Sequence, residues 1–139
     1  MSVHSTVIRV RTKGLSDMHD ITPLAAEFLS SSGVQNGLLC VFVPGATAGI
    51  TTIEYEEGAL EDLREAIERM APRTVHYAHD ARWGDGNGFS HVRAALLGPS
   101  LTVPVTDGAL RLGTWQQILL VDFDNRPRNR EIVFQLVGE

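Results

Sequence analysis

The chain has 139 residues, 43% of them hydrophobic and 21% charged, with a net charge of −5 at pH 7. That length fits one domain, residues 1–139, with enough chain to bury a real core. The acidic balance supplies no basic field for nucleic acid or an anionic membrane surface, and no apolar run approaches the roughly 20 residues needed to span a bilayer.

Residues 3–12 read as a strand with Ile8 and Val10 on one face and Arg9 and Arg11 on the other. DITPLAAEFLSSSG follows as a helix, with Thr22 as N-cap, Pro23 at the first helical position and Gly33 as its close. GLLCVFVP (37–44) is a short continuous apolar run, which predicts a strand buried on both faces. AGITTIEY (48–55) is β-branched and predicts a second strand. Residues 59–71 carry Leu60, Leu63, Ile67 and Met70 in one helical stripe, and Pro72 ends it. SHVRAALLGPS predicts a two-turn helix at 91–97, with Ser90 as N-cap and Gly98 as a left-handed close. Strands follow at 101–105, 116–123 and 130–137, and the turn-rich DNRPRN suggests that the last two form a hairpin.

Strands in adjacent runs, without strict βαβ alternation, predict an α+β domain with a mostly antiparallel sheet and helices on one side. Cys40 is the one cysteine; it cannot form an internal disulfide and reads as a small buried hydrophobe. The N-terminal MSVHSTVIRV lacks the basic-then-apolar pattern of a signal peptide, so a cytoplasmic chain is expected. Among the cations, one lysine, Lys13, stands against eleven arginines, which reads as a compositional bias.

Three stretches carry residue types suited to chemistry. HDARWGDGNGFSH (79–91) places His79, Asp80, Asp85, Asn87 and His91 among three glycines, a composition that excludes a regular helix or a buried strand over the run. The imidazoles can ligate a metal or move a proton, and the carboxylates can bind a cation or orient a ring. His91 at a helix start, with Ser90 and Arg93 near, could also form an anion site. The second stretch, PGATAGITTIEYEEG (44–58), is a tight small-residue turn followed by Glu54 on a strand, a candidate base or cation ligand. The third, GTWQQ, sets Thr114, Trp115, Gln116 and Gln117 at a strand mouth, where Trp115 could stack on a heteroaromatic ring. His4, His19 and His76 are isolated and read as surface or packing residues.

Taken together, PGATAGITTIE, Tyr77-Ala78-His79-Asp80, Asn87-Gly88-Phe89-Ser90-His91 leading into LLGPS, and the run from Pro104 to Gln116 through LGTWQ resemble the YjbQ-like family. That family is often called the secondary thiamine-phosphate synthase enzyme family. The resemblance implies a compact α+β subunit in a cyclic homotrimer, with a polar site near a subunit boundary. It implies weak thiamine-phosphate synthase activity, in which a pyrimidine pyrophosphate is joined to a thiazole phosphate. It also implies a divalent metal, zinc or magnesium, held through histidines. On this reading His79 and His91 contact metal or pyrophosphate, and Glu54 is a cation ligand or base. Arg93 contacts phosphate, Asn87 and Ser90 bind substrate, and Thr114 and Gln116 are polar wall groups. Two positions depart from the family pattern. Gly45 and Phe89 stand where the family has histidines, which leaves open a non-catalytic member that binds a small molecule or metal at a partly lost site.

Overall fold

The computed structural model describes all 139 residues. In chain order the elements are β1 (Ser2–Thr12), β2 (Asp17–Asp20), α1 (Thr22–Ser32), β3 (Gly37–Phe42), β4 (Ala48–Ile53) and α2 (Glu57–Met70). They continue as α3 (Ala78–Trp83), α4 (Gly88–Leu97), β5 (Ser100–Thr106), β6 (Ala109–Leu110), β7 (Gln117–Asp122) and β8 (Arg128–Gly138). Every strand pairing is antiparallel, so the expected α+β class holds. The strands form two sheets, a five-stranded one in the order β1-β8-β3-β5-β6 and a three-stranded one in the order β2-β7-β4.

The larger apolar core lies between the sheets and under α1. It joins Leu39 and Val41 of β3, Ile50 of β4, Ile118 and Leu120 of β7, and Phe134 of β8 to Ala25 and Leu29 of α1. A second core lies on the outer side of the small sheet, where Leu119 and Val121 of β7 and Phe123 meet Ile67 of α2 and Ala94 of α4. Strand β7 therefore presents alternate residues to two cores, which is why ILLV needs no polar residue. Strand β3 does not behave this way. Its Leu39 and Val41 point inward, but Leu38 and Phe42 stay exposed on the outer face, correcting the expectation of burial on both sides.

Local capping differs from the sequence expectation in instructive ways. Ile21, not Thr22, is the N-cap of α1. The Asp20 carboxylate accepts from Thr22 N, which frees the Thr22 hydroxyl to accept from Ile118 N at 2.7 Å. Gly33 closes α1 at φ 74°, as its position predicts. Ser90 is inside α4 rather than at its start, and Gly98 at φ 94°, ψ 156° is not left-handed helical. The run 79–91 holds two helix ends: α3 covers its first residues, Gly84 (φ 73°) and Gly86 (φ 69°) make the turn, and α4 opens at Gly88. Strands β7 and β8 form no hairpin. β8 pairs over its full length with β1 and β7 pairs with β2 and β4, so DNRPRN carries the chain from one sheet to the other.

Candidate functional site

The glycine turn between α3 and α4 folds two histidines onto one another. His79, in the first turn of α3, and His91, in the first turn of α4, have ring centroids 4.3 Å apart at an interplanar angle of 37°. The close approach of the helices depends on Gly88. A Cβ there would lie 2.6 Å from the Tyr77 Cβ and 3.0 Å from Asp80 Oδ1. Asp80 instead accepts from the Gly88 N–H at 2.8 Å, tying the start of α4 to α3.

His79 Nδ1 faces two carboxylates, with Asp85 Oδ1 at 3.4 Å and Asp80 Oδ1 at 3.8 Å. Neither distance is that of a charge-assisted hydrogen bond, which closes to about 2.7–2.9 Å. The nitrogen is buried and has no hydrogen-bond partner. Donor atoms of His79, Asp80 and Asp85 all lie within 4.8 Å of one another. A tetrahedral divalent ion with bonds near 2.1 Å spaces its donor atoms about 3.4 Å apart, so these three side chains fit such an ion. The loop is held in shape from within and from outside. Asn87, with its amide turned to donate, lies 3.0 Å from Asp85 Oδ1, and Asn125 Nδ2 donates to the Asp85 carbonyl at 2.9 Å.

The other sequence-predicted residues are scattered. His91 stacks on His79, is not among the converging donors, and its ring nitrogens bond nothing within the chain. Ser90 is fully buried and its hydroxyl donates to the Asn87 carbonyl. Arg93 is buried and its guanidinium is occupied. It donates to the Ala71 carbonyl at 2.9 Å, to Ser16 Oγ at 3.3 Å and to Glu68. Its role within the chain is to join α4 to the end of α2, not to offer a free cation. The Arg73 backbone N–H and the Arg93 guanidinium outweigh the opposing effect of burial and hold the Glu68 carboxyl below its ordinary range. Phe89 is buried with the Arg93 guanidinium 5.0 Å over its ring. Residues two apart on a helix point about 200° apart, so a histidine at 89 would face away from His79.

Glu54, Thr114 and Gln116 belong to another region. Glu54 is exposed just past the end of β4 and meets neither histidine. Gln116 donates to Thr52 Oγ1 at 3.2 Å, and Thr114 is exposed beside it. Gln116, Thr51, Thr52, Ser100 and Arg111 line an open cleft of about 350 Å³ between β4 and β5. Trp115 is 72% exposed and stacks on nothing.

Sequence reasoning missed the polar cluster around Asp122 and Asp124, which is tied to the histidine turn through Asn125. Asp122 is wholly buried and takes a two-pronged contact from Arg130, Nε to Oδ2 at 2.6 Å and Nη2 to Oδ1 at 2.9 Å, together with the Thr12 hydroxyl. Asp124, also wholly buried, accepts from Arg128 Nε at 2.9 Å and Thr47 Oγ1 at 3.0 Å. Burial pushes the Asp124 carboxyl up, but Arg128, the Asn125 N–H and the Thr47 hydroxyl together hold it below its ordinary value. The signal was present as Asp-x-Asp followed by Arg-x-Arg around the DNRPRN turn, two pairs at the spacing that puts side chains on one strand face.

The known proteins agree on kinship. The profile of the family described as UPF0047 protein YjbQ-like matches residues 6–139. A UPF0047 protein of Methanothermobacter thermautotrophicus is 40% identical over 139 residues, covering 100% of this chain and 95% of the relative. One from Mycobacterium tuberculosis is 42% identical over 117 residues, 83% of this chain and 86% of the relative. The crystal structure of a YbjQ-like protein of unknown function from Sulfolobus solfataricus superposes with TM-score 0.94 at 33% identity, covering 99% of each chain. A hypothetical protein from Aeropyrum pernix gives TM-score 0.91 at 34% identity, covering 98% of this chain and 99% of its own. With a profile match over nearly its whole length and relatives that share its fold from end to end, the chain belongs to the YjbQ/UPF0047 family.

Proposed function

We propose that the protein binds a small phosphorylated substrate at the His79–His91 turn, with a divalent cation of the zinc or magnesium type held by His79, Asp80 and Asp85. The activity is a weak thiamine-phosphate synthase reaction, joining a pyrimidine pyrophosphate to a thiazole phosphate. The observation that carries this reading is the orphaned His79 Nδ1, a buried ring nitrogen aimed at two carboxylate oxygens that it does not reach. Such a nitrogen is costly to bury unless something else completes it. A cation bound there supplies neutralisation of the pyrophosphate as it leaves.

The chain's own residues have separate tasks in this reading. Asn87 bonds the Asp85 carboxylate and Asn125 bonds the Asp85 carbonyl, so the carboxylate is aimed before a ligand arrives. His91 keeps its ring nitrogens free for a substrate oxygen, while its stacking on His79 fixes where they sit. Glu54 can act as ligand or base with these histidines only across a subunit boundary, and a homotrimer supplies one. Support for self-assembly comes from the outer face of the large sheet. The cross-strand rows Val3–Val137–Leu38 and Val7–Val133–Phe42 place apolar side chains side by side, with Val3, Val7, Leu38 and Phe42 exposed.

The test measures metal content of untagged protein, then product formation from the pyrimidine pyrophosphate and the thiazole phosphate. Stoichiometric metal that disappears in His79→Ala, together with product above the buffer rate, is the expected result. Metal without product selects the second reading, a non-catalytic binder, which Gly45 favours because the turn at 45–47 carries no imidazole. Protein without metal ends the cation assignment.

A further inference from the structure

We infer that the turn Gly45–Ala46–Thr47 and Arg130 form a binding site for a phosphate or diphosphate group. The inference deepens the reading above by naming where the anionic end of the substrate sits, and it rests on that reading only for the identity of the substrate.

The argument begins with unspent donors. Arg130 is 8% exposed, and its Nε and Nη2 are taken by Asp122 and Thr47. Its Nη1 donates to nothing within the chain, yet it is not sealed from solvent. That nitrogen keeps its donors for a partner arriving from solvent, while the rest of the guanidinium is fixed in place. The backbone above it is also unspent. The N–H groups of Gly45, Ala46 and Thr47 make no hydrogen bond to backbone or side chain, although Thr47 O accepts from Phe123 N and Val43 N is bonded just before the turn. Three consecutive free amides beside a free guanidinium nitrogen are the donor set that phosphate recognition uses.

Gly45 leaves the space for a ligand. It has φ 133°, and a Cβ at this residue would come within 3.1 Å of Arg130 Nη1. A side chain there would cover the one arginine nitrogen that is free. Gly45 and Ala46 are exposed, so the approach is from solvent. The acidic groups nearby do not compete for that nitrogen. Both Asp122 oxygens accept from Arg130 or Thr12, and both Asp124 oxygens accept from Arg128, Thr47 or Asn125 N. Two arginines balance two aspartates in the cluster, so an arriving anion meets no excess negative charge from it.

The placement suits a substrate that spans both features. Thr47 contacts Asp124, the next residue Asn125 holds the Asp85 carbonyl, and Asp85 faces His79. The free donors and the histidine turn are thus at the same end of β4 and β7. A carboxylate has two oxygens, whereas a phosphate group has the further acceptors that four separate donors call for.

The test is a titration of metal-free, ¹⁵N-labelled protein with inorganic pyrophosphate, inorganic phosphate or acetate at matched ionic strength. The expected result is a saturable shift of the Gly45, Ala46 and Thr47 amides and of the Arg130 side-chain resonance, stronger for the phosphates than for acetate. Gly45→Ala, checked for unchanged resonances in β3 and β8, is expected to weaken the phosphate response about tenfold or more, the scale of one charge-assisted hydrogen bond. The same shifts in His79→Ala keep this site distinct from the cation site, so the two readings fail separately. No saturable shift at these four groups in the wild type overturns the proposal even if Gly45→Ala does not fold. A response to acetate equal to that of the phosphates overturns the phosphate class.

Discussion

Two polar clusters are linked through the hydrogen bond from Asn125 Nδ2 to the Asp85 carbonyl, and they are built on opposite terms. In the Asp122–Arg130 cluster every carboxylate oxygen has a partner, and both acids are wholly buried. In the His79–Asp85 cluster the ring nitrogen has none, and the carboxylates stand 3.4 and 3.8 Å away. A buried charge that is fully paired is part of how the chain folds; removing one partner strands the other. A half-finished cluster on a glycine turn contributes little to folding and is open to a ligand. The difference separates carboxylates that hold the fold from carboxylates left open to a ligand, although both clusters set aspartates against a basic side chain.

The largest expected effect breaks the scaffold cluster. Arg130→Met leaves Asp122 buried with only Thr12 and the Asp124 N–H, and should cost about 3–5 kcal/mol of stability. Urea unfolding would show it as a fall in midpoint with little change in slope. Next is Gly88→Ala, whose Cβ would collide with Tyr77. It should cost about 1–3 kcal/mol and widen the His79–His91 stack, readable as altered imidazole resonances.

The acid response comes third. The Asp124 carboxyl is held below its ordinary value by Arg128, Asn125 N–H and Thr47 against the upward push of burial. A lowered folded value means stability that is complete above the unfolded value and is lost as pH falls below it toward the folded one. Wild-type protein should therefore lose thermal stability below about pH 4 more steeply than Asp124→Asn, compared by the slope of Tm against pH. A slope unchanged by the substitution would remove Asp124 from the account of acid sensitivity. The smallest expected effect is on the fold when the open cluster is cut. His79→Ala should destabilise metal-free protein by no more than about 0.5 kcal/mol, because no hydrogen bond is lost. A large loss in that variant would mean that the two clusters are not different in kind.

Much of the fold was legible, and the reasons are local. The stripe of α2, the β-branched β4 and the Gly33 close of α1 all follow from periodicity and backbone chemistry. The short elements β2, α3 and β6 were not, because four, six and two residues carry too little periodicity. The sheet switch at DNRPRN was misread as a hairpin because turn residues reveal that the chain reverses, not which partner strand waits beyond. In the candidate site, the sequence marked His79, Asp80, Asp85 and His91 as one candidate run but grouped the histidines with Glu54; the contact between the two rings is visible only in the folded chain. The fates of Arg93 and Phe89 were not legible either. Both point to the inner side of α4, where the tertiary partners Ala71, Ser16 and Glu68 are distant in sequence. Arg130 was passed over because a buried arginine looks in sequence like a surface one.

Strand β7 has one further consequence. Ile118 and Leu120 belong to the layer between the sheets, and Leu119 and Val121 to the layer under the helices. Neither layer can come apart without dislodging the same six-residue ribbon, so the molecule has no natural seam along which to melt in halves. Heating should give a single calorimetric peak, with both layers lost together.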